Sequence, residues 1–227
     1  MGFFDSLLGK KPSAPPSPIR DLLFGDALMS QWPSETAGEE FFPWSAFVEA
    51  RTLLQRGDRA GAVERWRMVA EAKGLESRHY VQAWTFLRQQ GVQPPPEIAR
   101  RVLGTVMEVG MREGLDVLAA YEDHSARYLN HSGAIAIWEH PDDSLDPLID
   151  DLLRASADVV ARIGPWNAAR RPPPERGQVR MSFLTPSGLH FGEGPFSELS
   201  KDAMGGPVIQ RATALLVALT AESSASR

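Results

Sequence analysis

The sequence predicts an α+β protein in which an N-terminal helical region packs with a C-terminal antiparallel sheet of about six strands. Apolar residues in the first half recur at helical spacing, whereas the second half carries short runs rich in β-branched residues between polar turns. Ten of the 18 prolines lie in three clusters, at 12–18, 94–96 and 172–174, and interrupt regular structure there. We therefore expect a tail and Pro/Ser linker over 1–18, a helical region over 19–96 and an α+β domain over 97–227.

The tail carries a short apolar stripe followed by two lysines, Lys10 and Lys11. A small amphipathic helix of this kind can dock on a partner protein or make weak contact with an anionic membrane surface through residues 1–11. The alternative is a segment that packs on its own domain. The residues of the stripe are Phe3, Phe4, Leu7 and Leu8.

Three helices are expected next, one from Ser45 up to Gly57, one from there to near Gly74, and one that follows Ser77 and stops at Gly91. Each has an apolar stripe and ends near a glycine, at Gly57, Gly74 and Gly91. Ser77 is expected to cap the third helix. The apolar residues are Phe47, Ala50 and Leu54 in the first, Ala62, Val63, Trp66, Val69 and Ala70 in the second, and Tyr80, Val81, Trp84 and Leu87 in the third.

The stretch Gly57-Asp58-x-x-x-Ala62-Val63-x-x-Trp66 resembles the turn and second helix of a tetratricopeptide repeat. Glycine returns at Gly91, 34 residues later, which is the period of that family. Pro94 to Pro96 stand where a second copy would continue, so the resemblance covers residues 45–91 only. It implies a helical hairpin used for packing or for contact with a partner, without the groove that several repeats form.

The second half predicts four strands, a helix, two strands and a last helix. We expect an antiparallel sheet whose own helices pack on one face. The first strand could instead continue a helix from Glu97, but its β-branched composition favours a strand. Strands are expected over 102–109, 115–121, 125–129, 134–139, 179–183 and 189–191, and helices over 144–163, capped by Ser144, and 208–219.

A set of histidines and carboxylates lies in the turns of this meander and is a candidate metal site, since imidazole and carboxylate bind zinc, iron and manganese. The candidates are His124, His131, His140, Asp142 and Asp143. Their spacing matches no known metal signature. The alternative is that the histidines lie in exposed turns, while the aspartates favour the positive N-terminus of the next helix.

No Lys or Arg interrupts the segment from Glu139 to Asp151, which predicts an acidic surface for a basic partner. The residues expected to form it are Asp142, Asp143, Asp146 and Asp150. Asp146 and Asp150 share a helical face, so a divalent ion between them or a solvated face opposite the leucine stripe are the alternatives. A basic stretch follows and is interpreted as a solvated linker; it comprises Arg162, Arg170, Arg171, Arg176 and Arg180.

Composition excludes several classes of function. The chain has no cysteine, which removes thiol nucleophiles and disulfides, and its net charge of -5 disfavours general nucleic-acid binding. We expect a non-catalytic protein-protein interaction or adaptor protein of the bacterial cytoplasm, without a cofactor. The alternatives are a metal- or ligand-dependent enzyme or sensor around His124, His131 and His140, and a peripheral membrane protein that uses residues 1–11.

Overall fold

The sheet of this protein has six strands in the order β4-β3-β2-β1-β5-β6, and every neighbouring pair is antiparallel. The computed structural model describes residues 18–32 and 41–225. The predicted meander of four strands is confirmed, and β5 and β6 form a hairpin that pairs with β1. The strands are β1 (Gly104–Gly110), β2 (Leu115–Tyr121), β3 (Ala126–Leu129), β4 (Ile135–Trp138), β5 (Gln178–Thr185) and β6 (Gly188–Pro195).

Helices precede, interrupt and follow the sheet, so the predicted α+β class is confirmed. The tail stripe of Phe3, Phe4, Leu7 and Leu8 lies outside the described residues. Within them, no helix is both long enough and apolar enough to cross a bilayer. The helices are α1 (Pro18–Leu22), α2 (Trp44–Gln55), α3 (Arg59–Glu71), α4 (Ser77–Gln89), α5 (Pro96–Ala99), α6 (Asp146–Val160), α7 (Phe196–Leu199) and α8 (Gly205–Ala225), with a 3-10 turn at Met29–Gln31.

Alternation along the strands gives the sheet two apolar faces. Met107, Leu118 and Phe183 lie on the face that packs against α6 and α8, as expected for the helices of this half. Val106 and Tyr121 lie on the opposite face, in one cluster with Phe24 and other residues of the N-terminal region. Helices therefore cover both faces of the sheet. The helices of the C-terminal half cover one face, and the N-terminal region covers the other.

The helical region packs around a third cluster that contains Trp66 and Phe86. Gly57 and Gly91 end α2 and α4 with positive φ values of 83° and 75°. In both places the next residue donates its N–H to a carbonyl in the last turn, from Asp58 to Leu53 and from Val92 to Leu87. The 34-residue glycine spacing thus marks two similar helix ends. The relation to tetratricopeptide repeats stays a prediction.

Two predicted caps differ from the structure. Ser77 is the first residue of α4, and Glu76 precedes it without a side-chain capping bond. Helix α6 begins at Asp146 after Leu145, so Ser144 lies before the helix and is not its cap. The reason for the first difference is that Ser77 bonds to the turn between β2 and β3, as described below.

A buried ionic network joins the N-terminal segment to the sheet. Glu108 on β1 lies between Arg20 and Arg180, with its oxygens 2.6 Å from Arg20 Nε and 3.5 Å from Arg180 Nη1. Arg170 stacks on Phe24 and pairs with Asp26. The interpretation of this basic stretch as a solvated linker is wrong for two of its residues: Arg180 is buried beside Glu108 on β1, and Arg170 is largely covered and pairs with Asp21 and Asp26.

Candidate functional site

The histidines that come together in this protein lie at one end of the β3 and β4 pair. His124 lies in the turn between β2 and β3, and His140 follows β4. Ala126 of β3 stands opposite Trp138 of β4. Since the strands are antiparallel, residues two positions beyond this pair meet at the same edge, and the two imidazole centres are 5.2 Å apart.

Asp146 completes the cluster from the first turn of α6. Its Oδ2 lies 3.5 Å from His124 Nδ1, and its Oδ1 lies 3.1 Å from His140 Nε2. One ligand atom of each of the three residues falls within 4.8 Å of the other two. We call His124, His140 and Asp146 the triad.

Two further aspartates touch the triad from outside. Asp150, one helical turn after Asp146, places Oδ1 3.0 Å from His124 Nε2. Asp143 Oδ1 lies 3.5 Å from His140 Nε2. Each ring of the triad therefore has at least two carboxylates within reach.

Both triad histidines have a left-handed backbone, with φ of 59° at His124 and 54° at His140. Residues other than glycine seldom adopt this conformation, although histidine, asparagine and aspartate do so more often than most. The two rings are thus carried by backbone positions whose conformation favours glycine.

The turn that carries His124 is bound to α4. Asp123 Oδ2 accepts the N–H of Ser77 at 2.6 Å, and Ser77 Oγ accepts the N–H of Asp123 at 3.0 Å. The other carboxylate oxygen of Asp123 accepts the N–H and hydroxyl of Ser125. These bonds hold the turn in place from both sides.

The other predicted metal candidates lie apart from the triad. His131 Nδ1 lies 2.8 Å from Asp116 Oδ1 at the opposite end of β3. Asp142 accepts the N–H of Ser144, and hydrogen bonds from the Ser144 side chain and backbone lower its pKa. Asp143 touches the triad but lies largely in solvent. Asp146 was expected in an acidic surface or, with Asp150, near a divalent ion, but not beside the histidines; its place in the triad follows from the start of α6 beside the strand ends.

Strand β4 forms one edge of the sheet and has two different faces. Ala136 and Trp138 are buried in the cluster that contains residues of α8. Ile135 and Ile137 point to the other face and are 41% and 56% exposed. We call β4 with these two isoleucines the β4 edge surface.

An acidic segment continues directly from this surface. It runs from Glu139 to Asp151 and includes four carboxylates whose side chains are more than half exposed: Glu139, Asp143, Asp150 and Asp151. Arg127 pairs with Glu139, and Arg154 pairs with Asp151. Six acids against these two cations leave the region with a negative potential.

Comparison of this chain with protein-family models, with curated proteins and with solved structures gives no match.

Proposed function

We propose that this protein binds another protein, and that the partner adds an extended basic segment to the outer edge of β4. The observation that carries the proposal is an open strand edge with two exposed isoleucines, followed directly by the acidic segment. The cytoplasmic location and bacterial source remain predictions, as does the absence of catalysis.

The backbone of β4 supports this mode of binding. Among the described residues, β3 is the strand that pairs with β4, and the sheet order ends at β4. An edge strand presents backbone N–H and C=O groups that an added strand can bond. Pro and Lys, which often protect such edges, do not occur within Ile135–Trp138.

The side chains of β4 favour a partner strand with alternating character. Ile135 and Ile137 lie on the same face, and α8 leaves that face uncovered. Apolar residues of an added strand would bury these isoleucines at about 25 cal/mol for each Å² removed from water. Basic residues near its end would approach the acidic segment, which contributes specificity and faster association.

A short fluorescently labelled peptide in which Lys and Val alternate is a suitable probe, with fluorescence anisotropy as the measurement. The full-length protein is kept in a chelator so that metal binding has no effect on the result. We expect saturable binding that weakens as salt rises. Replacement of Lys by Glu in the peptide, or methylation of its alternate backbone amides, should abolish binding.

The matched protein variants are Ile137→Lys and Val217→Lys. Both residues are exposed and apolar, but Val217 lies on α8. We expect Ile137→Lys to weaken peptide binding at least about tenfold, which corresponds to about 1.4 kcal/mol. Val217→Lys should bind as the wild type does. Failure of the Lys/Val peptide to bind, or equal binding by the two variants, would contradict the proposal.

A further inference from the structure

We infer that His124, His140 and Asp146 bind one divalent transition-metal ion of the zinc type. The inference goes beyond the proposed protein interaction, since it concerns the ends of β3 and β4 and not the open edge. It rests on the positions of the three side chains and on the chemistry of their ligand atoms.

The distances within the triad suit a common metal ion. Zinc binds imidazole nitrogen at about 2.0–2.1 Å and carboxylate oxygen at about 2.0–2.2 Å, in tetrahedral geometry. Two ligands at such distances lie about 3.3 Å apart. From Asp146 Oδ2, the observed separations are 3.5 Å to His124 Nδ1 and 3.2 Å to His140 Nε2.

The surroundings of His124 select one ring nitrogen for the metal. Asp150 lies 3.0 Å from Nε2, so Nε2 carries the proton and donates it to the carboxylate. In the neutral ring Nδ1 then has the lone pair, and Nδ1 is the atom that faces Asp146. A carboxylate that orients a histidine in this way is a usual outer partner of a metal ligand.

Asp146 adds an independent observation. Its Oδ1 is buried, and no donor among the described residues makes a hydrogen bond to it with good geometry. A buried carboxylate oxygen without a partner is costly. A metal ion bound between this carboxylate and the two rings removes the cost.

The two imidazole nitrogens determine which class of metal ion the triad prefers. Imidazole nitrogen suits zinc, iron, nickel and copper, whereas calcium and magnesium prefer oxygen ligands throughout. Three protein ligands leave at least one position for water or for Asp143, whose Oδ1 is 3.5 Å from His140 Nε2. Asp143 and Asp150 also offset the positive N-terminus of α6, which would otherwise disfavour a cation there.

Calorimetric titration with Zn²⁺ tests the site in full-length protein purified without a histidine tag and freed of metal by a chelator. We expect one ion per chain. His140→Gln and Asp146→Asn each remove a ligand, so each should weaken binding more than the loss of an outer partner does. Asp150→Asn removes the outer partner of His124, which typically costs about 10–100-fold in affinity.

His131→Gln is the matched control, because His131 also pairs with an aspartate but lies outside the triad. It should bind Zn²⁺ as the wild type does. Co²⁺ supplies a second readout, since its visible spectrum reports a tetrahedral site with nitrogen and oxygen ligands. The inference is overturned if Zn²⁺ shows no saturable binding, or if the triad variants bind it as tightly as His131→Gln; the triad is then a set of hydrogen-bonded His and Asp pairs.

Discussion

Arg20 Nε lies 2.6 Å from Glu108 Oε1, and neither side chain is more than 5% exposed. Arg180 approaches the other oxygen of the same carboxylate. Two buried guanidinium groups thus share one buried carboxylate, and Glu193 supplies a second negative charge to Arg180 at 2.9 Å. The network ties α1 to the centre of the sheet.

Glu108→Gln should destabilise the protein by about 3–5 kcal/mol, because it leaves Arg20 and Arg180 buried beside a neutral side chain. Urea unfolding at neutral pH measures the loss. Glu113→Gln is the control, since Glu113 is exposed in the turn after β1, and it should change stability by no more than about 0.5 kcal/mol. A loss for Glu108→Gln below about 1 kcal/mol would show that water reaches the network.

Phe24→Ala tests the attachment of the N-terminal segment to the sheet. Phe24 is fully buried, and the Arg170 guanidinium stacks 4.0 Å from its ring centre. We expect a loss of about 3–5 kcal/mol in urea unfolding from the cavity and the lost stacking. Leu22→Ala serves as the comparison, because Leu22 is largely exposed. Similar stabilities for the two variants would mean that Phe24 is not part of the core.

Substitution of His124 or His140 by glycine and by alanine measures the backbone strain at each position, since both changes remove the imidazole. At His124 and His140 the left-handed backbone favours glycine over alanine by about 1 kcal/mol. In metal-free protein, His124→Gly should therefore be more stable than His124→Ala, and likewise for His140. Thermal and urea unfolding provide the comparison, and a higher stability for alanine would contradict the left-handed conformation.

Acid should weaken the fold through one buried and one half-buried histidine. Burial lowers the pKa of His190 and of His79, the second of which stacks edge-on against Trp44. Because each folded pKa is below the ordinary value of about 6.5, the unfolded chain binds more protons as the pH falls below that value. Stability should then decrease by up to about 1.4 kcal/mol per pH unit for each ring.

The measurement for this prediction is urea unfolding in a series of buffers from about pH 7.5 to about pH 5. The slope should become shallower in His190→Gln and shallower again when His79→Gln is added. An unchanged slope in the double variant would assign the acid sensitivity to other groups.

Most of the fold could be predicted from local patterns. Strand β2 has the predicted bounds, and the other meander strands differ from their predictions by one or two residues at one or both ends. Alternation and turn residues are local, so a sequence displays them directly. The packing of the N-terminal region with the sheet was predicted, but not which residues meet there, because the hydrogen bond from the Tyr121 hydroxyl to the Leu23 carbonyl joins segments far apart in the chain.

Less of the candidate site could be predicted. His124 and His140 were expected near strand ends, but their meeting depends on the opposition of Ala126 and Trp138, which the sequence does not display. Asp146 lies among several aspartates, and nothing in its local pattern distinguishes it. Arg180 and Glu108 are charged residues of the kind that usually lies at the surface. They are buried because the pairing of β1 with β5 places them opposite each other.

The position of β1 between β2 and β5 has a consequence for synthesis on the ribosome. The four strands of the meander leave the exit tunnel before Gln178 to Thr185 are made, and β1 is then an open edge. During that interval Glu108 has no Arg180 beside it. The nascent chain therefore stays open to pairing with another chain along β1 until β5 has left the tunnel.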